Sequence, residues 1–218
     1  MKMHVSASKE NILKKIRKAL TESTPLPFPG SEGVSSVFQS SQQELELEFA
    51  ERFSSLLGKF VYCSGPEEFA LQLEAISIHQ RWENIYLREE ALLPLLPAAL
   101  KNKPRYKDLA MADAAITSCE ALIARTGSIM MTSAQQSGRT TSVYAAIHIC
   151  IAYSDQLVYD VKDGLKLIRE KHGGRLPSLV TFATGPSRTA DIEKTLVVGV
   201  HGPKEVYVFL IERNSGTA

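Results

Sequence analysis

The sequence predicts an α/β protein with a mainly parallel sheet flanked by helices and an N-terminal helical arm. Three observations indicate this class. β-prone runs alternate with helical patterns along residues 41–218, two of the runs are apolar almost throughout, and a stretch rich in Pro, Gly and Ser precedes them. Alternation of strands and helices is typical of layered α/β domains. Strands covered on both faces, as in parallel sheets, are expected to be apolar throughout.

Residues 1–40 form the predicted arm. Residues 8–20 place Ile12, Ile16 and Leu20 on one helical face, with lysine and arginine over much of the rest. Such a basic amphipathic helix either docks its apolar stripe on a neighbour or lies on an anionic membrane surface. The following stretch, TPLPFPGSEGVSSVFQSS, has no periodicity and is predicted to be a linker. We therefore expect the compact α/β domain to span residues 41–218.

The elements of this domain follow from the hydrophobic periodicity and from the positions of Pro and Gly. In the first half we predict a helix with the stripe Leu45, Phe49, Phe53 and Leu56, the strand KFVYC, the helix PEEFALQLEAISIHQ, the strand ENIYLR, the proline-broken helix EEALLPLLPAALK, the strand AAITS and the short helix CEALIA. In the second half we predict the strands SIMMT, AAIHICIAY, SLVTFA and EVYVFLIE, and the helix VKDGLKLIREKHG, which ends at Gly173.

Composition and charge argue against several classes of protein. The formal net charge is +1 over 218 residues, and no nucleic-acid-binding motif is present, so nucleic acid is not an expected partner. No stretch approaches the roughly 20 apolar residues that span a bilayer, and the first residues lack a signal-peptide pattern. We therefore expect a soluble, cytoplasmic protein without a transmembrane segment. The three cysteines are far apart, which argues against a disulfide framework, a metal site or an iron–sulfur cluster within this chain.

Three loops are candidates for ligand binding, because ligands in open α/β sheets bind beyond the carboxyl ends of the strands. The first loop contains Gly127 and Ser128. The second, residues 133–142, contains Gly138 and Arg139 among small and hydroxylated residues. The third, residues 184–203, reads TGPSRTADIEKTLVVGVHGP and follows the strand SLVTFA.

The third loop has the composition of an anion site. Gly185 permits a tight backbone turn, and Ser187 and Thr189 can cap a following turn of helix. Arg188 adds a planar, permanently charged group that matches a carboxylate or a phosphate. A capped and salt-bridged turn without a ligand explains the same residues, so both interpretations stay open.

The same loop carries the candidate catalytic groups. Asp191 and Glu193 either orient the arginine or favour the positive end of the predicted helix. His201 lies between glycines just before the last strand and is a candidate proton acceptor. A loop histidine hydrogen-bonded to main chain is the alternative. His148, within AAIHICIAY, is expected instead to be a hydrogen-bonded core histidine.

Common catalytic motifs are missing from the sequence. It contains no GxGxxG, GxxxxGK[ST], HExxH or GxSxG pattern. These absences argue against a dinucleotide-binding Rossmann domain, a P-loop, a zinc protease and an α/β-hydrolase.

Two segments carry a family resemblance. GPSRTADIEKTLVVGVHGPKEVYVFLIE resembles the C-terminal signature of the lactate utilisation protein C family, whose members contain the LUD domain. TGSIMMTSAQQSGRTTSVYAAIHICIAY resembles the middle segment of the family, and together the matches span residues 126–212. Two departures are visible: Arg125 stands where the family often has an acidic residue, and Ala145 and Ala146 stand where it often has proline. Any role of that missing carboxylate is therefore in doubt.

The resemblance implies a NagB/RpiA/CoA transferase-like fold and a role in oxidising L-lactate to pyruvate. It implies one subunit of a three-protein complex, with the iron–sulfur clusters held by the other two proteins and no cofactor expected in this chain. Two alternatives stay open: a stand-alone enzyme acting on a sugar phosphate, an acyl-CoA or a folate-like substrate, and a purely structural assembly subunit. The sequence does not decide whether this chain is catalytic by itself or whether it forms a homo-oligomer.

Overall fold

A computed structural model of the chain describes residues 7–21, 41, 43–101, 108–189 and 197–213. The structure divides the chain into two units, which separate between residues 40 and 41. In the first unit, helix α1 (Ala7–Thr21) forms where the periodicity predicts it and exposes Ile12 and Ile16. Among the helices of the described ranges, none is long and apolar enough to cross a membrane.

The second unit alternates strands and helices as predicted. Its helices are α2 (Leu45–Ser55), α3 (Pro66–His79), α4 (Ala98–Lys101), α5 (Thr141–Tyr144) and α6 (Val161–Lys171). Its strands are β1 (Lys59–Cys63), β2 (Ile85–Leu87), β3 (Ala114–Ser118), β4 (Ala121–Ile123), β5 (Ser128–Thr132), β6 (Ile147–Tyr153), β7 (Leu157–Val158), β8 (Val180–Ala183), β9 (Arg188–Thr189), β10 (Val197–Val198) and β11 (Glu205–Ile211). Short 3₁₀ turns span Glu90–Leu95, Leu109–Met111, Ala124–Thr126 and Ser154–Gln156.

The larger sheet confirms the predicted fold class. Five strands lie in the order β1-β11-β6-β3-β2, and every neighbouring pair is parallel. Side chains of α3, including Phe69 and Leu73, cover one face of this sheet. The ring of Phe69 meets that of Phe209 on β11 edge to face, with 5.2 Å between the ring centroids.

A second sheet covers the opposite face of the first. Its strand order is β7-β4-β5-β8, and β5 runs antiparallel to both β4 and β8. Ile129 and Met131 of β5 share a core with Val208 and Leu210 of β11, so apolar side chains fill the space between the two sheets. The other face of the second sheet packs against α6, where the missing side chain of Gly164 makes room for Met130.

Two local predictions were wrong. The run CEALIA was predicted to be a short helix, but residues 121–123 form β4 and pair with β5. A short apolar run does not separate helix from strand by periodicity alone, and here burial between two layers decides for the strand. The predicted helical turn after Ser187 is also wrong, because residues 188–189 form β9 and pair antiparallel with β10.

Candidate functional site

A cleft of about 290 Å³ opens at the amino ends of β6 and β11, between that edge of the parallel sheet and β8. Its lining residues come from the segments before β6 and β11, from β8 and from the turn that follows β8: Ser142, Val143, His148, Thr181, Phe182, Ala183, Thr184, Gly185, Pro186, Ser187, His201, Gly202, Pro203 and Val206. A second hollow of about 410 Å³ shares Val143, His201 and Gly202 with the cleft.

The position of this cleft differs from the expectation that ligands gather at carboxyl ends. The loop 184–203 does follow the carboxyl end of β8, as predicted. However, β8 belongs to the second sheet, and the chain returns from there to the amino end of β11. The described ends of the loop, residues 184–189 and 197–203, therefore lie beside the amino edge of the parallel sheet.

The two Gly-Pro pairs of the loop face each other across the cleft wall. Ser187 donates its N–H to the carbonyl oxygen of Pro203 and accepts from the N–H of Gly199, both at 2.9 Å. A Cβ at Gly202 would lie 2.8 Å from the Cβ of Ser187, and Gly202 has no side chain to make that contact. Gly185 has φ +87°, and a Cβ there would lie 2.5 Å from the carbonyl oxygen of Leu56. These glycines allow the close approach of backbone segments that shapes the cleft.

His148 lies in the inner wall of the cleft and was missed as a candidate. Its side chain is fully buried, and Nε2 lies 2.8 Å from Oγ1 of Thr117. Its Nδ1 has no hydrogen-bond partner among the described residues. Burial lowers the pKa of His148 to about 4, so the imidazole is neutral near neutral pH. His148 was predicted to be a hydrogen-bonded core histidine. It is buried, but only one of its two ring nitrogens has a hydrogen-bond partner among the described residues.

A chain of hydroxyl groups connects the first predicted loop to the cleft. The hydroxyl oxygen of Ser128 lies 2.8 Å from that of Thr126 and 2.9 Å from that of Thr184. Ser128 is buried and Thr184 lines the cleft. The structure thus brings Ser128 and the start of the third loop together, and ligand binding by Ser128 stays a prediction.

The described lining of the cleft carries little charge. His148 and His201 are its titratable residues, and no Lys, Arg, Asp or Glu occurs among the lining residues that the structure describes. His201 is exposed and borders both the cleft and the neighbouring hollow. Such a site offers hydroxyl groups, the exposed imidazole of His201 and backbone groups to a small ligand.

Arg188 lies beside the cleft and is absent from its described lining. Its Nη2 donates to the carbonyl oxygen of Leu56, at the carboxyl end of α2, with an N···O distance of 2.5 Å. A cation at this end of a helix is favourable because the helix dipole is negative there. A Cβ at Gly185 would lie 2.5 Å from the same carbonyl oxygen, so the guanidinium is a neighbour of the cleft wall. That Arg188 also binds an anion stays a prediction.

The remaining predicted residues lie in different places. Thr189 pairs through its backbone with Val197, while Asp191 and Glu193 lie outside the described residues. Gly127 has φ +59° and abuts α2, where a Cβ would lie 2.6 Å from the backbone nitrogen of Phe53. That contact gives Gly127 a packing role.

Gly138 and Arg139 lie away from the described lining of the cleft. Arg139 donates to the hydroxyl of Ser178 at 2.6 Å, and Ser178 lies within 3.1 Å of Ser133, just after β5. This is the opposite end of β5 from Ser128. Ligand binding by Gly138 and Arg139 therefore stays a prediction.

A buried carboxylate at the carboxyl edge of the parallel sheet was also missed. Glu89 follows β2 and accepts hydrogen bonds from the backbone N–H, at 2.9 Å, and the hydroxyl of Ser118 at the end of β3. The amide of Gln135 donates to the same hydroxyl at 2.9 Å. The sequence signal that could have found Glu89 is an acidic residue directly after the predicted strand ENIYLR. These groups satisfy one another, which is the pattern of a structural network.

The cysteine thiols do not converge on one site. Cys63 lies in the core on one face of the parallel sheet, and Cys119 and Cys150 lie in the core on the other. Burial raises the pKa of the Cys63 thiol to about 11 and also raises that of Cys150. Within the described ranges, no three His, Cys, Asp or Glu residues are grouped to hold a metal ion.

Known proteins match the chain over different lengths. The sequence model of the LUD domain family matches residues 1–211. Lactate utilization protein C of Shouchella clausii is 37% identical over 103 residues, which cover 47% of this chain and 45% of that protein. The protein of the same name from Bacillus subtilis is 34% identical over 116 residues, 52% of this chain and 48% of that protein. The chain thus spans about half the length of the curated relatives that it matches.

A solved structure shares the fold. The crystal structure of a DUF162 family protein from Deinococcus radiodurans matches with a TM-score of 0.59 and 22% identity, covering 79% of this chain and 99% of that one. At this identity the likeness concerns the fold alone. Since the family model extends over nearly all of the sequence, the chain belongs to the LUD domain family.

Proposed function

We propose that this protein acts in lactate utilisation, as the subunit without clusters of an iron–sulfur complex that oxidises L-lactate to pyruvate. The names of the matching relatives support the lactate utilisation role. The cysteine positions support placing the clusters in two partner proteins, because the thiols of this chain lie on both faces of the sheet.

The cleft between β8 and the amino ends of β6 and β11 is the proposed substrate site. The observation that carries this proposal is the convergence of Ser187, His201 and the half-satisfied His148 on one cleft. L-Lactate has one negative charge, one hydroxyl group and one methyl group, which suits a small site with hydroxyls, imidazoles and few charges. Arg188 adds positive potential beside Gly185 without entering the described lining.

The composition of the lining favours a small monoanion over the alternative ligands. A sugar phosphate or an acyl-CoA carries several negative charges and is usually held by Arg or Lys side chains or by a helix N-terminus. The described lining contains no Arg or Lys. Lactate also fits the cleft volume of about 290 Å³ better than a nucleotide-bearing thioester.

The proposed oxidation releases two electrons and two protons from lactate. The alcohol carbon loses its C–H bond and the hydroxyl loses its proton, giving the carbonyl of pyruvate. The iron–sulfur clusters of the partner proteins would accept the two electrons, one at a time, and the proton from the C–H bond would pass to solvent. We propose that His201 takes the hydroxyl proton, since it borders the cleft and is open to solvent for onward transfer. Asp191 and Glu193 stay candidate carboxylates for the same proton.

The test is turnover of L-lactate by the purified three-protein complex carrying H201Q or S187A in this chain. We expect H201Q to lower kcat at least tenfold and S187A to raise KM about fivefold, because one removes a proton acceptor and the other a hydroxyl. D191N and E193Q are assayed beside them.

The matched control for H201Q is H79Q, which changes an exposed histidine at the end of α3. It should leave turnover unchanged. Co-purification of the three proteins shows whether a variant has lost assembly. Unchanged turnover in both H201Q and S187A would remove the cleft from the proposal, and loss of assembly alone would favour a structural subunit.

A further inference from the structure

Helix α3 is apolar on two opposite faces. Phe69 and Leu73 on one face are fully buried against the parallel sheet. On the other face Leu71 and Ile78 are each 69% exposed, and Ala75 lies exposed between them. Exposed apolar residues that share one helical stripe mark a surface that another element covers.

Carboxylates border this exposed stripe. Glu67 and Glu74 are each within one helical turn of Leu71, and such residues are neighbours on a helix surface. Residues 66–79 contain three glutamates and no Lys or Arg, a formal charge of −3 with the histidine neutral. At the amino end of α3 a hollow of about 660 Å³ is lined by Ser64, Gly65, Pro66, Glu67, Glu68 and Leu71. We call the following residues the α3 face: Glu67, Leu71, Glu74, Ala75 and Ile78.

Helix α1 has the same pattern with the opposite charge. Ile12 and Ile16 lie one turn apart and are 58% and 48% exposed. Residues 7–21 contain four lysines and one arginine against one glutamate, a formal net charge of +4 in a chain that totals +1. The exposed cations that the structure describes on this helix include Lys14, Lys15, Arg17 and Lys18. Helix α1 is therefore complementary to the α3 face in both polarity and charge.

We propose that helix α1 of one copy of the chain docks on the α3 face of a second copy, so that the protein forms a homodimer. Each copy carries both surfaces, and a two-fold arrangement makes the same contact twice. The apolar stripes of the two helices pack against each other, while the charges beside the stripes attract and fix the pairing. The inference goes beyond the proposed function and does not depend on lactate binding.

An anionic membrane is another surface that would suit the charge of α1. Such a membrane would cover Ile12 and Ile16 but would repel the carboxylates of the α3 face, and so would leave Leu71 and Ile78 exposed. A second copy of the chain covers both apolar stripes and pairs both sets of charges. The dimer therefore accounts for both helices.

The test is sedimentation-velocity ultracentrifugation of the full chain at a series of concentrations. We expect the wild type to dimerise with a Kd on the order of 10 µM, because the contact is small but is made twice. The variant K14E/K15E/K18E changes the formal charge of α1 from +4 to −2. The variant E67K/E74K changes that of α3 from −3 to +1. We expect each variant to weaken dimerisation at least about tenfold, because like charges then meet.

Mixing the two variants tests the contact between copies directly. In a mixed dimer the acidic α1 of one chain meets the basic α3 of the other, and the second contact joins the unchanged α1 to the unchanged α3. An equimolar mixture should therefore dimerise more tightly than either variant alone. A mixture that associates no more than the separate variants overturns the inference.

The matched control is E51K/E170K, which makes the same change in net charge at exposed glutamates of α2 and α6. It should dimerise as the wild type does, and an equal loss there would assign the effect to net charge and overturn the inference. Circular dichroism checks that every variant folds. A wild type that is still monomeric at about 200 µM also overturns it. If that monomer sediments with phosphatidylglycerol vesicles, α1 is a membrane-surface helix.

Discussion

The guanidinium of Arg188 donates to the carbonyl oxygen of Leu56, which joins the loop after β8 to the carboxyl end of α2. The contact links residues far apart in the chain and sets the position of the loop beside Gly185. Arg188 therefore has a structural task that the sequence did not indicate. Its positive charge still lies next to the proposed substrate site.

Replacing Arg188 separates these two contributions. We expect R188A to lower the free energy of unfolding by about 0.5 kcal/mol, because a cation at a helix carboxyl end is lost. We expect it also to weaken L-lactate binding about threefold, and R188K to restore most of that loss by keeping the charge. Urea unfolding and calorimetry measure the two effects. R175A, which removes an exposed arginine elsewhere, is the control. An equal loss of affinity in R175A would show that the effect of R188A comes from the change in net charge and not from the position of Arg188.

Gly127 is expected to act through packing. G127A places a Cβ 2.6 Å from the backbone nitrogen of Phe53 at a φ of +59°, so α2 must shift. We expect a loss of about 2–4 kcal/mol in the free energy of unfolding. The matched control is G65A, where nothing lies within 4 Å of the added Cβ, and its change should stay below about 1 kcal/mol. Normal stability of G127A with lost lactate binding would instead make Gly127 a ligand residue.

His148 should make the stability depend on pH. Its pKa is about 4 in the folded protein, below the ordinary value of 6.5, so the unfolded chain binds its proton first as the pH falls. The wild type should therefore lose about 2 kcal/mol of stability between pH 7 and pH 5 from this residue. H148Q should lack that part of the pH dependence in denaturant unfolding. Equal slopes in the two proteins would mean that folding does not lower the pKa of His148.

Asp160 should contribute a second pH effect at lower pH. Burial acts to raise the pKa of this carboxyl, but hydrogen bonds from the Lys162 N–H and from Arg125, with which it forms an ion pair, hold the pKa below 3.8. Its stabilisation is thus complete above that pH and is lost as the pH falls below it.

D160N keeps an N-capping side chain at the start of α6 and removes the charge. We expect the stability difference between pH 6 and pH 3 to be smaller in D160N than in the wild type. D155N removes a carboxylate from the exposed pair with Arg213 and is the control. An unchanged pH dependence in D160N would show that the pairing with Arg125 contributes nothing.

The sequence predicted the fold class because its strongest signals are local. The strands KFVYC and SIMMT form over the predicted residues, and α3 begins at its proline. The second sheet was not predicted. Its strand β8 looks like any other apolar run, and only its antiparallel pairing with β5 removes it from the parallel sheet. Pairing direction depends on contacts between distant segments, which periodicity does not encode.

The candidate site was predicted only where its residues have a local signal in the sequence. Gly185, Ser187 and His201 belong to one polar loop, so their composition marked them. His148 comes from a buried strand and was predicted to be a core residue, because nothing local in the sequence indicates that this end of the strand borders a cleft. The position of the cleft at the amino edge follows from the second sheet and was therefore missed with it.

The central claim is that the cleft between β8 and the amino ends of β6 and β11 binds a small hydroxy acid. A crystal structure of the full chain with L-lactate tests it most directly. We expect the ligand between Ser187 and His201, inside this cleft. Lactate bound at the carboxyl edge near Glu89, or an empty cleft at saturating lactate, would contradict the account.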